Sequence, residues 1–224
     1  QQSFCRQWAD PKLWKAGLLC GIPLFLACNL QQLALVDTDA GKSGFVTAMY
    51  IVIVPVIGVF LKKKPTIMIP ISVSIAVAGL YCLSCVGVTQ INSGDILTLG
   101  CVFMFAVQIT FVDRFASNTD ALRLNTIQSL VCSVLSFVVV IFTENPTWKG
   151  ITDCTIPLLQ TGLLSMGVAY TLQIIGQKSL EPTTASLIMS LESVFAVLFG
   201  WLFLHEMLTV WETLGCILVF IAFI

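Results

Sequence analysis

Eight apolar stretches, at roughly 16–36, 43–61, 67–88, 94–112, 122–143, 156–176, 184–204 and 209–224, are joined by short connections that carry most of the charge. At about 1.5 Å of rise per helical residue they can cross about 30 Å of hydrocarbon. The expected fold class is therefore all-α, a polytopic membrane helical bundle with about eight helices present. Composition agrees, since 57% of the residues are hydrophobic and 10% are charged, against roughly 25% charged in an ordinary soluble domain. Mean hydropathy is +0.96. The net charge of −1 argues against a nucleic-acid partner, because no basic face exists to displace counterions from phosphates.

Local signals mark several helix ends. Glu181-Pro182 places proline in a first turn, and Thr209-Val-Trp-Glu212 fits a capping box before the last span. Trp14, Trp201 and Trp211 fall near span ends, where amphipathic rings favour the headgroup region. Nine cysteines are scattered through apolar segments, and the one close pair, Cys82 and Cys85, has no second pair and a single histidine in the whole chain to complete a site. Buried small side chains explain them better than a metal centre, so neither a metal nor another cofactor is expected.

Orientation follows from the basic residues. With the N-terminal segment cytoplasmic, that side collects Arg6, Lys12, Lys15, Lys62, Lys63, Lys64, Arg114, Arg123 and Lys178, and the other side receives only Lys42 and Lys149. This bias predicts a multi-pass protein of the cell membrane with both ends of the chain cytoplasmic. Lys62–Lys64, the densest charge in the sequence, is explained by the same rule, with a lipid-headgroup or substrate-phosphate role as the alternative.

The first three spans resemble the last three, with Gly17-Leu-Leu answering Gly162-Leu-Leu and Leu30-Gln31 answering Leu172-Gln173. Two further spans lie between. The natural parse is a five-helix unit used twice, with the first copy lacking its opening pair: residues 1–90 as the remainder of the first repeat (helices 3–5) and 91–224 as the second (helices 6–10). An odd number of spans gives successive copies opposite topology, an inverted repeat of 5+5 helices with the first two absent. The expectation is that the chain is a piece of a ten-span protein lacking those two helices, clipped within its last span as well.

The run Ala185-Ser-Leu-Ile-Met-Ser-Leu-Glu192, followed by Gly200, Leu204-His-Glu206-Met-Leu-Thr209 and Gly215, resembles the final two helices of EamA-type transporters in the drug/metabolite transporter (DMT) superfamily. Gly94-Asp95-Ile-Leu with Val112-Asp113-Arg114-Phe115 is similar to the start of that family's second repeat. Two departures stand out. Ser193 rather than proline follows Glu192, and Lys62-Lys63-Lys64-Pro65 ends the first repeat where His205-Glu206 ends the second. The halves are chemically unequal, so a site they share is expected to be asymmetric.

Polar side chains inside spans are the informative ones, because each must find a partner or face water. The candidate substrate-binding residues are Asn29, Gln31, Gln32, Gln108, Tyr170, Gln173 and Glu192; Gln128 is a further intramembrane amide. Their donors and acceptors suit a small polar or zwitterionic metabolite rather than an apolar drug. Each has a bland alternative. Intramembrane amides often serve as glue between helices, adjacent Gln31 and Gln32 point some 100° apart so that one at most faces a cavity squarely, and Glu192 can be a buried carboxylate tied to Ser190 or Ser193. His205-Glu206 lacks the second histidine of a zinc-protease motif, since Thr209 stands there, and reads as residues that end a helix. Ser193, Ala196 and Gly200 form a small-residue face expected to be a packing seam.

The resemblance implies a secondary transporter, an exporter of small polar metabolites such as amino acids, working by alternating access. No ATP-binding motif appears, so an ion gradient, with Glu192 as a proton carrier, is the expected energy source. The chain is not expected to be an enzyme. A lipid-modifying membrane enzyme would need clustered nucleophiles, ligands or paired acids, and the alternative of a non-transporting membrane subunit is separated from a carrier by flux. The expected partners are the small polar metabolite and the lipid bilayer, with the protein a monomer or homodimer.

Overall fold

The computed structural model describes residues 8, 10–38, 40–61, 68–84, 92–205 and 209–223. Among them are only helices: α1 (Pro11–Ala34), α2 (Ala40–Ala48), α3 (Tyr50–Phe60), α4 (Met68–Ser84), α5 (Ser93–Ala116), α6 (Ala121–Thr143), α7 (Trp148–Asp153), α8 (Thr155–Leu159), a π-helical segment (Gln160–Ala169), α9 (Tyr170–Gln177), α10 (Pro182–Leu204) and α11 (Val210–Phe223). Six stretches are long and apolar enough to cross a membrane: Pro11–Ala34, Lys42–Phe60, Ser93–Ala116, Ala121–Thr143, Thr155–Gln177 and Pro182–Phe203. Met68–Leu83 and Val210–Ala222 are shorter apolar helices. The eight expected spans are thus all present as helices. Lys62–Lys64, Cys85 and Glu206 lie outside the described residues.

The helix ends show why these boundaries fall where they do. Pro182 opens α10, at the position where its missing N–H costs nothing. Ahead of α11, Glu212 accepts from the Thr209 amide at 2.7 Å and from its hydroxyl at 2.8 Å, while the Thr209 hydroxyl accepts from the Glu212 amide at 3.2 Å. This is the capping box expected from the sequence. Asp120 caps α6 by accepting from the Arg123 amide. His205, just beyond α10, takes a left-handed φ of 56°, the conformation in which chains commonly leave a helix.

Packing divides the chain into two compact units. The first comprises residues 1–26 and 111–180. Its apolar core gathers Ala16 and Cys20 of α1, Val112 and Ala116 of α5, Ala121 and Leu124 of α6 and Ile174 of α9, with Phe111 and Phe115 against them. The second comprises residues 27–110 and 181–224. Ile51 and Val54 of α3, Ala76 and Leu80 of α4, Val102 and Ala106 of α5, Val194 of α10 and Val219 of α11 are central to its core. Each unit draws helices from both sides of residue 90. Most of the remaining apolar side chains, such as Phe137, Ile141 and Phe142 of α6, are exposed, as a protein whose outer solvent is lipid requires.

One close helix approach in the second unit joins α4 to α11 through two glycines. A Cβ on Gly215 would lie 2.6 Å from the carbonyl oxygen of Gly79, and one on Gly79 would lie 2.9 Å from that of Gly215. With no hydrophobic gain to drive helices together in lipid, such bare backbone contact supplies the dispersion that does. The seam expected along Ser193, Ala196 and Gly200 is not the point of close approach described here. Ala196 is exposed and Ser193 half-buried, because the α10 face carrying Val194 is the one turned to the core. Gly79→Leu and Gly215→Leu should each cost about 1–3 kcal/mol of stability, as overpacking of a closed contact does. The two losses should be less than additive, since either side chain already forces the helices apart. Thermal unfolding of the purified protein in detergent measures both.

Candidate functional site

Glu192 is central to the candidate site. It lies ten residues from Pro182 and twelve from Leu204 within α10, about 15–18 Å from either end at 1.5 Å per residue. The structure places it on an exposed face rather than in the core. Of the two hydroxyls considered as anchors for it, Ser190 donates instead to the Leu187 carbonyl at 2.7 Å. Among the described residues no cation pairs with Glu192; the one ion pair found is elsewhere. Tyr50, at the start of α3 in the same unit, is a buried phenol. Tyr50 was not singled out from the sequence, where it reads as one more aromatic near a span's middle.

A line of polar groups runs through the same unit. Gln31 of α1 donates to the Thr47 hydroxyl of α2 at 3.3 Å. Thr47 and Tyr50 stand three positions apart, on one side of the α2–α3 span. Asn29 is half-buried with a partner of its own, and Gln32 is exposed. Gln31 is thus the inward member of the adjacent pair. Gln108 is fully buried and partnered, which fits the role of interhelical glue.

Tyr170 and Gln173 belong to the first unit and lie in α9, both half-buried. Gln173 donates to the Gln177 side chain one turn on, at 3.4 Å. The strongest polar cluster in this unit has a different centre. Asn125 of α6, 4% exposed, donates through its Nδ2 to the Met166 carbonyl at 2.8 Å, the Gly167 carbonyl at 3.2 Å and the Thr171 hydroxyl at 2.8 Å. Its Oδ1 accepts from Gln128 at 2.9 Å and from Ser129 at 3.4 Å. An asparagine one turn into an apolar run carries no motif, and only the π-helical backbone opposite reveals its purpose.

A second cluster closes one end of the second unit. Lys42, near the start of α2, pairs with Asp95, near the start of α5, and both are shielded from solvent. Thr38 donates to Asn92 at 2.7 Å, Asn92 donates to the Asp37 carbonyl at 2.6 Å, and Ser93 donates to the Asp37 carboxylate at 2.8 Å. Asn92 and Asp95 also cap α5 reciprocally, amide to side chain, at 3.0 and 2.9 Å. Asp37 and Thr38, just after α1, therefore meet Asn92 and Ser93, at the start of α5, at one end of this unit. Here a charge is neutralised and three helix termini are tied together, which is a structural task. The pair lies between an exposed bridge, worth up to about 1 kcal/mol, and a fully buried one, whose rupture costs about 3–5 kcal/mol. Asp95→Asn, which keeps the cap acceptor, and Lys42→Met should each cost about 1–2 kcal/mol, with the double variant no worse than either alone. Denaturation midpoints of the four proteins check this cycle.

Comparison with known proteins adds to this geometry. Residues 92–224 match the EamA-like transporter family. Over 212 residues the chain is 32% identical to an uncharacterized transporter of Archaeoglobus fulgidus, covering 94% of this chain and 68% of that protein. A solved crystal structure superposes with a TM-score of 0.79 at 17% identity, covering 97% of this chain and 76% of its own. At that identity the likeness is one of fold.

Proposed function

The chain belongs to the EamA-like transporter family of multi-pass membrane proteins, and on that premise we propose that it is a secondary transporter exporting small polar metabolites, amino acids among them, by alternating access. The observation that carries this reading is Glu192, an exposed carboxylate held midway along an apolar span without a cation from the described residues. An ionisable group at that depth is expensive and belongs where water, a proton or a solute reaches it. Gln31 and Asn29 in the same unit, and Tyr170 and Gln173 in the other, offer amide and phenol groups that can both donate to and accept from a zwitterion. Glu192 takes up and releases the coupling proton.

The same reading assigns residues 1–90 and 91–224 to two repeats of opposite topology, both ends of the chain to the cytoplasm and the protein to the cell membrane. The excess of lysine and arginine on one side of the spans supports the orientation.

Proteoliposomes containing the protein, given an imposed proton gradient and a radiolabelled amino-acid mixture, test the proposal. Uptake should be saturable and gradient-driven, and Glu192→Gln should reduce its initial rate by about tenfold or more and abolish its pH dependence, the loss typical of a missing proton-transfer group. No uptake from folded, inserted protein would favour a non-transporting subunit. Unaltered pH-dependent uptake in Glu192→Gln would remove the carboxylate from the mechanism.

A further inference from the structure

The sixth span, Thr155–Gln177, changes its hydrogen-bond ladder partway along. Through Gln160–Ala169 the backbone is π-helical, and the last bond of that ladder runs from the Tyr170 amide to the Ser165 carbonyl, five residues back. From Tyr170 onward the helix is α, with partners four residues apart. A chain that passes from a five-residue to a four-residue ladder must step over one carbonyl. Ser165 is the last acceptor of the first kind, so the carbonyl stepped over is that of Met166. In a bilayer no water is at hand to take it.

The Asn125 amide donates to that very carbonyl at 2.8 Å and extends to the Gly167 carbonyl and the Thr171 hydroxyl beside it. The Thr171 hydroxyl in turn donates to the Gly167 carbonyl at 2.6 Å. On the other side, Gln128 and Ser129 hold the Asn125 carbonyl oxygen and so fix which way its N–H groups point. A side chain with two N–H donors and an acceptor is what this position needs. Ser and Thr have one donor each, and an ionised Asp has none.

We propose that Asn125 is a positioning residue that clamps the π-to-α junction of the sixth span, and thereby sets the rotation of Gln160–Ala169 relative to Tyr170 and Gln173. Without the clamp the stepped-over carbonyl has no donor, and the segment relaxes toward a continuous α ladder. Each residue of slip turns the helix by about 100°, enough to exchange one helix face for another on one side of the junction. The clamp itself stands on the backbone geometry. Its consequence for solute recognition rests on the transporter reading given above.

The sequence provides a clean probe, because Met166–Gly167 is its one Met–Gly step. Methionine labelled with heavy carbon at the carbonyl and glycine labelled with heavy nitrogen isolate this peptide bond in a solid-state NMR spectrum of the protein in bilayers. In the wild-type protein, side-chain nitrogen of labelled asparagine should transfer polarisation directly to the Met166 carbonyl, a measurement that needs no variant. In Asn125→Asp, nearly the same shape without the N–H donors, and in Asn125→Leu, the carbonyl resonance should move. Absence of the transfer, or an unmoved resonance in folded variants, overturns the clamp.

In the same preparations, saturable uptake of the radiolabelled amino-acid mixture should show a KM raised about tenfold in Asn125→Asp, the upper end of what one hydrogen bond contributes, with the maximal rate less affected. A moved resonance with unchanged KM would overturn the positioning role and leave Asn125 as part of the packing. Failure of the wild-type protein to transport anything would instead count against the transporter reading, and the carbonyl measurement would still decide the clamp.

Discussion

In hydrocarbon a backbone carbonyl or amide without a partner costs several kcal/mol, and the structure can be read as a set of answers to that penalty. Unbroken α ladders meet it over most of the spans. Where the ladders end, capping groups take over: Thr209 with Glu212 before α11, Asn92 with Asp95 before α5, and Asp120 before α6. At Met166, where the ladder changes period, a side chain from a neighbouring helix supplies the missing donor. The same penalty explains why an asparagine is tolerated one turn inside an apolar span.

Polar groups within the membrane are divided between two tasks. Asn125 and Gln128 bond to other protein groups, and Gln108 is wholly enclosed. The Asn125 bonds join two spans that lipid would otherwise hold apart with little preference. Glu192 differs from these, exposed at mid-span and paired with no cation among the described residues.

Much of the fold was legible from residue order alone. The eight spans follow from length and hydropathy, and the starts of α10 and α11 follow from Pro182 and from Thr209 with Glu212, signals that act over a few residues. The π segment was not legible, because Gln160–Ala169 has the composition of an ordinary apolar helix and its ladder is decided by Asn125, some forty residues away in sequence. Nor was the Gly79–Gly215 contact, whose partners are isolated glycines on separate helices, whereas Ser193 and Ala196 showed the familiar spacing without the contact. The candidate site was legible as a set of residue types. Depth singled out Glu192, but burial and partnership, which separate Gln108 from Gln31 and Gln31 from Gln32, depend on which face each helix turns inward.

Whether the protein moves solute across a bilayer is tested most directly by counterflow, which needs no gradient and no knowledge of the coupling ion. Proteoliposomes are loaded with unlabelled amino acids and diluted into a trace of the same mixture carrying a radiolabel. A carrier that alternates between two openings exchanges one molecule for another, so label should accumulate transiently inside, above its external concentration. Label that enters no faster than into protein-free liposomes, from protein shown to be folded and inserted, would contradict the transport of these solutes and with it the account of Glu192.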